Sequence, residues 1–133
     1  MDVLDTGTDE LLATLEDRVV TLTLNRPTKR NALSDQLTPA LRQILLDLEL
    51  REDVGCIVIT GAGSAFCAGG DISGMGDNLT ASDAKPVSHE AQVRELIHRQ
   101  ETLTLRLHSH PKPTIAALPG CGGGGRVLFG ASL

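Results

Sequence analysis

The stretch that decides the fold is residues 57–71, which read IVITGAGSAFCAGGD. The β-branched run at 57–60 ends in a turn of small residues, a pattern that predicts a buried strand opening into a loop where backbone can approach a ligand. Gly69 and Gly70 permit positive φ and leave their N–H groups unshielded. With a helix beginning near Asp71, those N–H groups would lie at its positive end and stabilise developing negative charge. The alternative is a plain tight turn.

Strands and helices alternate on both sides of this stretch. Strands are predicted at 11–15 and 19–24, joined as a hairpin, and again at 114–118. Ser34 and Ser88 are predicted to begin the two helices. Each helix carries apolar residues at helical spacing, the first Leu37, Leu41, Ile44, Leu45 and Leu48, the second Val93, Leu96, Ile97, Leu103 and Leu107. This alternation predicts an α/β fold.

The predicted core is a sheet of parallel strands covered by the two helices. Its buried strand residues are predicted to be Val20, Leu22, Leu24, Ile57, Ile59, Ile115 and Ala117. The helical residues covering them are predicted to be Leu37, Leu41, Leu45, Leu48, Leu96 and Leu103. Residues 1–10 are polar and acidic and are expected to fray. The strand at 114–118 is expected to keep an open edge, which favours self-association.

Composition excludes several classes of function. Only 2% of the 133 residues are aromatic and the formal net charge is −5, which argues against a nucleic-acid-binding protein. Three cysteines without metal or disulfide spacing indicate reduced thiols and a cytoplasmic protein. No apolar run follows a basic N-terminus and no apolar stretch approaches the length of a membrane span, so neither a signal peptide nor a membrane span is expected. The four histidines are expected to be solvated rather than metal ligands, so no metal site is predicted.

Four ordered sequence blocks together carry a family resemblance. They are Asn25-Arg26-Pro27 with Arg30-Asn31-Ala32-Leu33, Asp53-Val54 with residues 57–61, residues 65–71, and residues 112–117 with Gly120. They resemble the enoyl-CoA hydratase/isomerase, or crotonase, family. The resemblance implies an α/β fold of the ClpP/crotonase type, a ββα superhelix. Because family members are about twice as long, residues 1–133 are interpreted as the N-terminal part of one such domain, with its core at 11–120.

The resemblance also implies a function in fatty-acid β-oxidation. The expected ligand is an acyl-CoA thioester, with coenzyme A as part of the substrate and no separate cofactor. Backbone N–H groups of Gly70 and Gly125 are expected to stabilise an enolate oxyanion. The expected contacts to coenzyme A are Arg26, Lys29, Arg30, Ala68, Gly69, Asp71 and Ile72. Arg26 as part of a solvated turn and Asp71 as a helix N-cap remain the alternatives. A homo-oligomer, a trimer or hexamer, is implied.

The chain departs from the family pattern near its end. Position 128, where the family often carries a catalytic Glu, is Leu, and position 73, often Lys, is Ser. Residues 121–133 are unusually rich in glycine, and we interpret them as a frameshifted tail whose shifted reading would resemble the family's second oxyanion loop. An inactive remnant and a subunit-interaction protein therefore remain alternatives to an active hydratase or isomerase.

Overall fold

A single mixed sheet organises the chain. The computed structural model describes residues 1–69 and 88–119, and the backbone of 126–129. In that part of the chain the strands are β1 (Asp2–Leu4), β2 (Leu11–Glu16), β3 (Val19–Leu24), β4 (Cys56–Gly61), β5 (Thr114–Leu118) and β6 (Arg126–Phe129). They lie side by side in chain order. The hairpin of β2 and β3 is confirmed, and β3, β4 and β5 are parallel, whereas β1 and β6 pair antiparallel with their neighbours.

Helices connect the parallel strands. Helix α1 (Leu37–Glu49) lies between β3 and β4. Helix α2 (His89–Gln100) continues through a π-helical segment (Glu101–Leu105) into a last turn, α3 (Arg106–His108), before β5. Ser34 Oγ accepts a hydrogen bond from Leu37 N at 3.0 Å, and Ser88 Oγ accepts one from Ala91 N at 3.2 Å. Ser88 is the N-cap of α2, as predicted. Helix α1 begins at Leu37 with Gln36 in the N-cap position, two residues later than predicted, although Ser34 still satisfies the Leu37 amide.

The core lies between one face of the sheet and the helices. Its buried apolar side chains are Leu11, Ala13, Leu15, Val20, Leu22, Leu24, Ile57 and Ile59 from the strands, and Leu37, Leu41, Ile44, Leu45, Leu48, Leu103 and Leu107 from the helices. The alternation of buried and half-buried residues along β3 and β4 follows the two-residue period of a strand. Most of the predicted core is confirmed.

The buried face of β5 is the opposite of the predicted one. Ala116 is buried, whereas Ile115 and Ala117 are only partly buried. The register pairs Ala116 with Ile59 and Ile115 with Val58, so Ala116 shares the core face. The sequence TIAAL has too little polar alternation to indicate which face is buried, and pairing with β4 decides it.

Leu96 was also predicted to cover the core, and this was wrong. Its side chain is 59% exposed, and every residue from 88 to 101 is exposed. The buried leucines of this region, Leu103 and Leu107, lie in the π-helical segment and α3. Because α2 is exposed on every face, its apolar spacing does not decide burial, and the helical region reaches the core only from Leu103 onward.

The two ends of the sheet differ from the expectation as well. Residues 2–4, expected to fray, form β1 on the edge of β2. The edge of β5, expected to be open, is paired with β6, with Ala116 opposite Leu128 in the register. The rest of the segment 121–133, which we interpreted as a frameshifted tail, lies outside the described residues, at 121–125 and 130–133.

Candidate functional site

A tight turn follows β3 and begins the candidate site. Pro27–Lys29 form a single 3₁₀ turn, after which Arg30 and Asn31 adopt left-handed backbone with φ of 50° and 57°. Asn31 N donates to Arg26 O at 2.9 Å and closes the turn. Two successive non-glycine residues in this region are uncommon, although asparagine tolerates it better than most. The conformation turns the Asn31 side chain inward, where it is fully buried.

The loop after β4 forms the second part of the site. Ala62 N donates to Leu24 O at 2.8 Å, which extends the contact between β3 and β4 by one residue. Gly63 and Gly69 then have φ of 78° and 98°, values that side chains disfavour. The glycine conformation expected for Gly69 is therefore confirmed. Cys67 Sγ accepts a weak hydrogen bond from Gly69 N at 3.4 Å and supports this bend.

The turn at 26–33 and the loop at 62–69 are bonded directly to each other. Asn31 Nδ2 donates to Ala62 O at 3.0 Å and to Ala65 O at 2.8 Å. Two backbone bonds continue the junction, from Leu33 N to Gly69 O at 2.7 Å and from Ala68 N to Arg30 O at 3.0 Å. Two segments more than thirty residues apart in sequence are thus held together up to the residue that precedes Gly70.

Arg26 is already engaged within the chain. Its Nε lies 3.0 Å from Glu10 Oε1, and its guanidinium also donates to Ala32 O at 2.7 Å. The other carboxylate oxygen of Glu10 accepts from Ser34 Oγ at 2.6 Å. Only 13% of the Arg26 side chain is exposed. Arg26 and Glu10 therefore tie the turn to the hairpin and to the start of α1.

Lys29 and Arg30 present the exposed positive charge of the turn. The carbonyl of Arg30 accepts from Ala68 N, so these residues lie beside the loop. Of the predicted site residues, the structure thus brings Arg26, Lys29, Arg30, Ala68 and Gly69 into one region. The other four, Gly70, Asp71, Ile72 and Gly125, lie outside the described residues.

Sequence reasoning assigned no role to three residues that shape this region or its support. Asn31 was read only as part of a motif, and Glu10 as part of a fraying end. His110 was expected to be a solvated surface histidine, but its ring bonds to Leu45 O at 2.9 Å and to Lys112 N at 3.1 Å. The position of Asn31, a polar residue directly after a turn and before the apolar Ala32 and Leu33, was a sequence signal for a structural role. No such signal exists for Glu10, because its contact with Arg26 depends on tertiary pairing.

Between 1 and 69, and between 88 and 119, no three His, Cys, Asp or Glu side chains cluster closely enough to hold a metal ion. No helix in the same ranges is long and apolar enough to cross a membrane.

Comparisons with known proteins agree with the motif pattern. A family model described as enoyl-CoA hydratase/isomerase matches residues 19–132. The 1,2-epoxyphenylacetyl-CoA isomerase of Escherichia coli is 32% identical over 126 residues, covering 92% of this chain and 45% of that protein. A putative enoyl-CoA hydratase of Thermus thermophilus is 34% identical over 113 residues, covering 83% and 42%.

Solved structures give the same result. The crystal structure of an enoyl-CoA hydratase/isomerase from Xanthobacter autotrophicus superposes with a TM-score of 0.72 at 28% identity, covering 84% of this chain and 39% of that one. The chain thus spans less than half the length of these relatives, and its sheet and helices form part of a crotonase-like fold. With the motif blocks, the family match and the superposition in agreement, the chain belongs to the enoyl-CoA hydratase/isomerase family.

Proposed function

We propose that this chain binds acyl-CoA thioesters and stabilises an enolate oxyanion with backbone N–H groups. The observation that carries the proposal is the bonded junction between the turn at 26–33 and the loop at 62–69, which leads directly into Gly70. The names of the relatives support the ligand class, since both the isomerase and the putative hydratase act on coenzyme A thioesters by name.

The chemistry requires fixed donors at the thioester carbonyl. Abstraction of a proton beside the carbonyl, or addition to the conjugated double bond, places negative charge on the carbonyl oxygen. A backbone N–H held by the fold stabilises that charge without reorganisation, by about 2.7–4 kcal/mol per donor. We assign the first donor to Gly70 and the second to Gly125.

The exposed basic residues of the turn suit the phosphate groups of coenzyme A. Lys29 and Arg30 are assigned this role, since charged hydrogen bonds to phosphate are strong. We assign Arg26 to stabilising the turn, because its guanidinium already binds the Glu10 carboxylate and the carbonyl of Ala32. The backbone of Ala68 and Gly69, with Asp71 and Ile72, completes the proposed site.

The proposal is tested by calorimetry with crotonyl-CoA as the probe. The double variant Lys29→Gln with Arg30→Asn removes both charges, and asparagine tolerates the left-handed backbone at position 30. We expect its affinity to fall by about tenfold, the equivalent of about 1.4 kcal/mol, and the remaining binding to depend less on salt.

Arg94→Gln is the matched control for this experiment. It removes one positive charge from exposed α2, where Arg94 forms a solvent-exposed ion pair with Glu90. Its affinity should equal that of the unaltered chain. Absence of crotonyl-CoA binding by the unaltered chain, or an equal loss in Arg94→Gln, would contradict the proposed site.

Turnover on this 133-residue chain is expected to be slow. The absence of a carboxylate at position 128 removes general acid–base catalysis worth about 10²–10⁴ in rate. Because residues 121–133 depart in sequence from the family's second oxyanion loop, we expect the loss of one donor, worth about 10²–10³ more. Hydration of crotonyl-CoA, followed by loss of its absorbance, should then be about 10⁴–10⁷ below that of a full-length relative. A rate near that of the relative would contradict this assignment of catalytic groups.

We also propose that the chain associates with itself. The supporting observation is an apolar groove of about 530 Å³ on the α2 side, lined by residues that include Leu96, Ile97 and Leu105. These three side chains are all exposed. Apolar surface of this kind is commonly covered by another chain.

A further inference from the structure

The buried side-chain amide of Asn31 has hydrogen-bond partners for both its oxygen and its nitrogen. Its side chain is 0% exposed, and its Oδ1 accepts from Arg26 N at 2.8 Å while its Nδ2 donates to Ala62 O and Ala65 O. The orientation of the amide is fixed by its partners, because a backbone N–H only donates and a carbonyl only accepts. A different side chain cannot supply one acceptor and two donors in this geometry.

The surroundings of Asn31 are equally restrictive. Its own backbone is left-handed, and the neighbouring Arg30 is left-handed too. Such conformations persist where the surrounding contacts determine them, and they are concentrated at functional sites. Gly61 lies so close that a Cβ there would be 2.6 Å from Asn31 Nδ2. The amide is therefore enclosed between the turn and the loop.

We propose that Asn31 is the positioning residue of the acyl-CoA site. It does not contact the reacting atoms. By holding the carbonyls of Ala62 and Ala65, it sets the path of residues 62–69, the described part of the proposed site in this loop. This inference rests on the proposed function, since the site it positions is the proposed acyl-CoA site.

The substitution Asn31→Asp provides a test through pH. The ionised carboxylate has no donor for the two carbonyls and repels both, whereas the protonated carboxylic acid keeps an acceptor for Arg26 N and regains one donor. At pH 8 we expect the affinity for crotonyl-CoA, relative to the unaltered chain at the same pH, to be at least tenfold lower. At pH 5 the relative affinity should recover several-fold. A residue that only stabilises the fold would leave the affinity of the folded molecules unchanged at both values.

Two matched variants accompany it. Asn25→Asp makes the same chemical change at the residue that follows β3. There Asn25 Nδ2 donates to Asp9 O at 2.8 Å rather than to the loop at 62–69. Its relative affinity should stay unchanged at both pH values. Asn31→Gly keeps the left-handed backbone without the amide, so its affinity should be low at pH 8 and pH 5 alike. If Asn31→Asp fails to fold at pH 8, Asn31→Gly still tests the proposal.

Hydrogen exchange separates this inference from the proposed function. In the absence of ligand, the amides of Ala68 and Gly69 should exchange faster in Asn31→Asp and Asn31→Gly than in the unaltered chain, while those of β2 and β3 keep their protection. If this holds and the unaltered chain does not bind crotonyl-CoA, the proposed function fails and the positioning of the loop remains. If loop exchange and relative affinity both equal those of the unaltered chain, the inference about Asn31 is wrong.

Discussion

Gly61 leaves no space for a side chain. A Cβ at this position would lie 2.4 Å from the carbonyl oxygens of Ala65 and Phe66. Because these atoms belong to the backbone, they cannot rotate away as a side chain would. We expect Gly61→Ala to lower the free energy of unfolding by about 1–3 kcal/mol, the usual cost of overpacking.

Urea denaturation measures this effect, and Gly55→Ala is the control. A Cβ at Gly55 would lie 3.4 Å from the Arg18 side chain, an ordinary contact with a flexible neighbour. Its free energy of unfolding should change by less than about 0.5 kcal/mol. Similar losses in the two variants would show that the loop after β4 can move aside.

Arg26 and Lys29 belong to the same turn, but we expect Arg26 to contribute to stability and Lys29 to ligand binding. Arg26→Met leaves the partly buried Glu10 carboxylate without its guanidinium, so the free energy of unfolding should fall by about 1.5–3 kcal/mol. Lys29→Met removes an exposed charge, so stability should change by less than about 0.5 kcal/mol while crotonyl-CoA affinity falls. Thermal unfolding of both variants tests this, and equal stability losses would contradict it.

The helical region at 89–108 divides into an exposed part and a packed part. Leu103 lies 5% exposed in the π-helical segment and belongs to the core, so Leu103→Ala should lower the free energy of unfolding by about 2–5 kcal/mol. Leu96→Ala, in exposed α2, should cost less than about 0.5 kcal/mol. Denaturant titration of the pair measures the difference. A loss at Leu96 as large as that at Leu103 would mean that α2 packs against the sheet.

The start of β5 is tied to the loop before β4 by one ammonium group. Lys112 Nζ donates to Arg51 O and, at 2.8 Å, to Val54 O. Lys112→Met keeps the apolar stem and removes both bonds, so the free energy of unfolding should fall by about 1.5 kcal/mol. Arg94→Met, which removes an exposed i,i+4 pair on α2, should cost less than about 0.5 kcal/mol. A Lys112→Met variant as stable as the control would show that these bonds contribute nothing.

Several large apolar side chains on the helical region at 89–108 are exposed to solvent. Val93, Leu96, Ile97 and Leu105 are each at least 40% exposed. We expect sedimentation to show association that increases with concentration, and the double variant Leu96→Gln with Ile97→Gln to shift the chain toward monomer. Leu12→Gln, which removes an exposed leucine from β2, is the control and should leave association unchanged. A concentration-independent monomer would contradict the proposed self-association.

Local sequence determined much of this architecture. The alternation in β3, the apolar spacing of α1 and the N-cap Ser88 each depend on contacts within a few residues, so the pattern alone was sufficient. The motif blocks likewise placed the chain in its family, and Gly69 in a conformation that glycine permits. In these cases the residue type and its immediate neighbours contain the physical information.

Tertiary structure decided the features that depend on distant partners. Which face of β5 is buried followed from its register on β4, because the sequence of β5 has no clear polar alternation. The exposure of Leu96 followed from where the helix leaves the core, and the roles of Glu10 and Arg26 from a contact between the hairpin and the turn. Above all, the three side-chain hydrogen bonds of Asn31 join it to residues 26, 62 and 65, and a short-range pattern does not contain such pairings. A side chain's role in the site is set by the partners that folding brings to it.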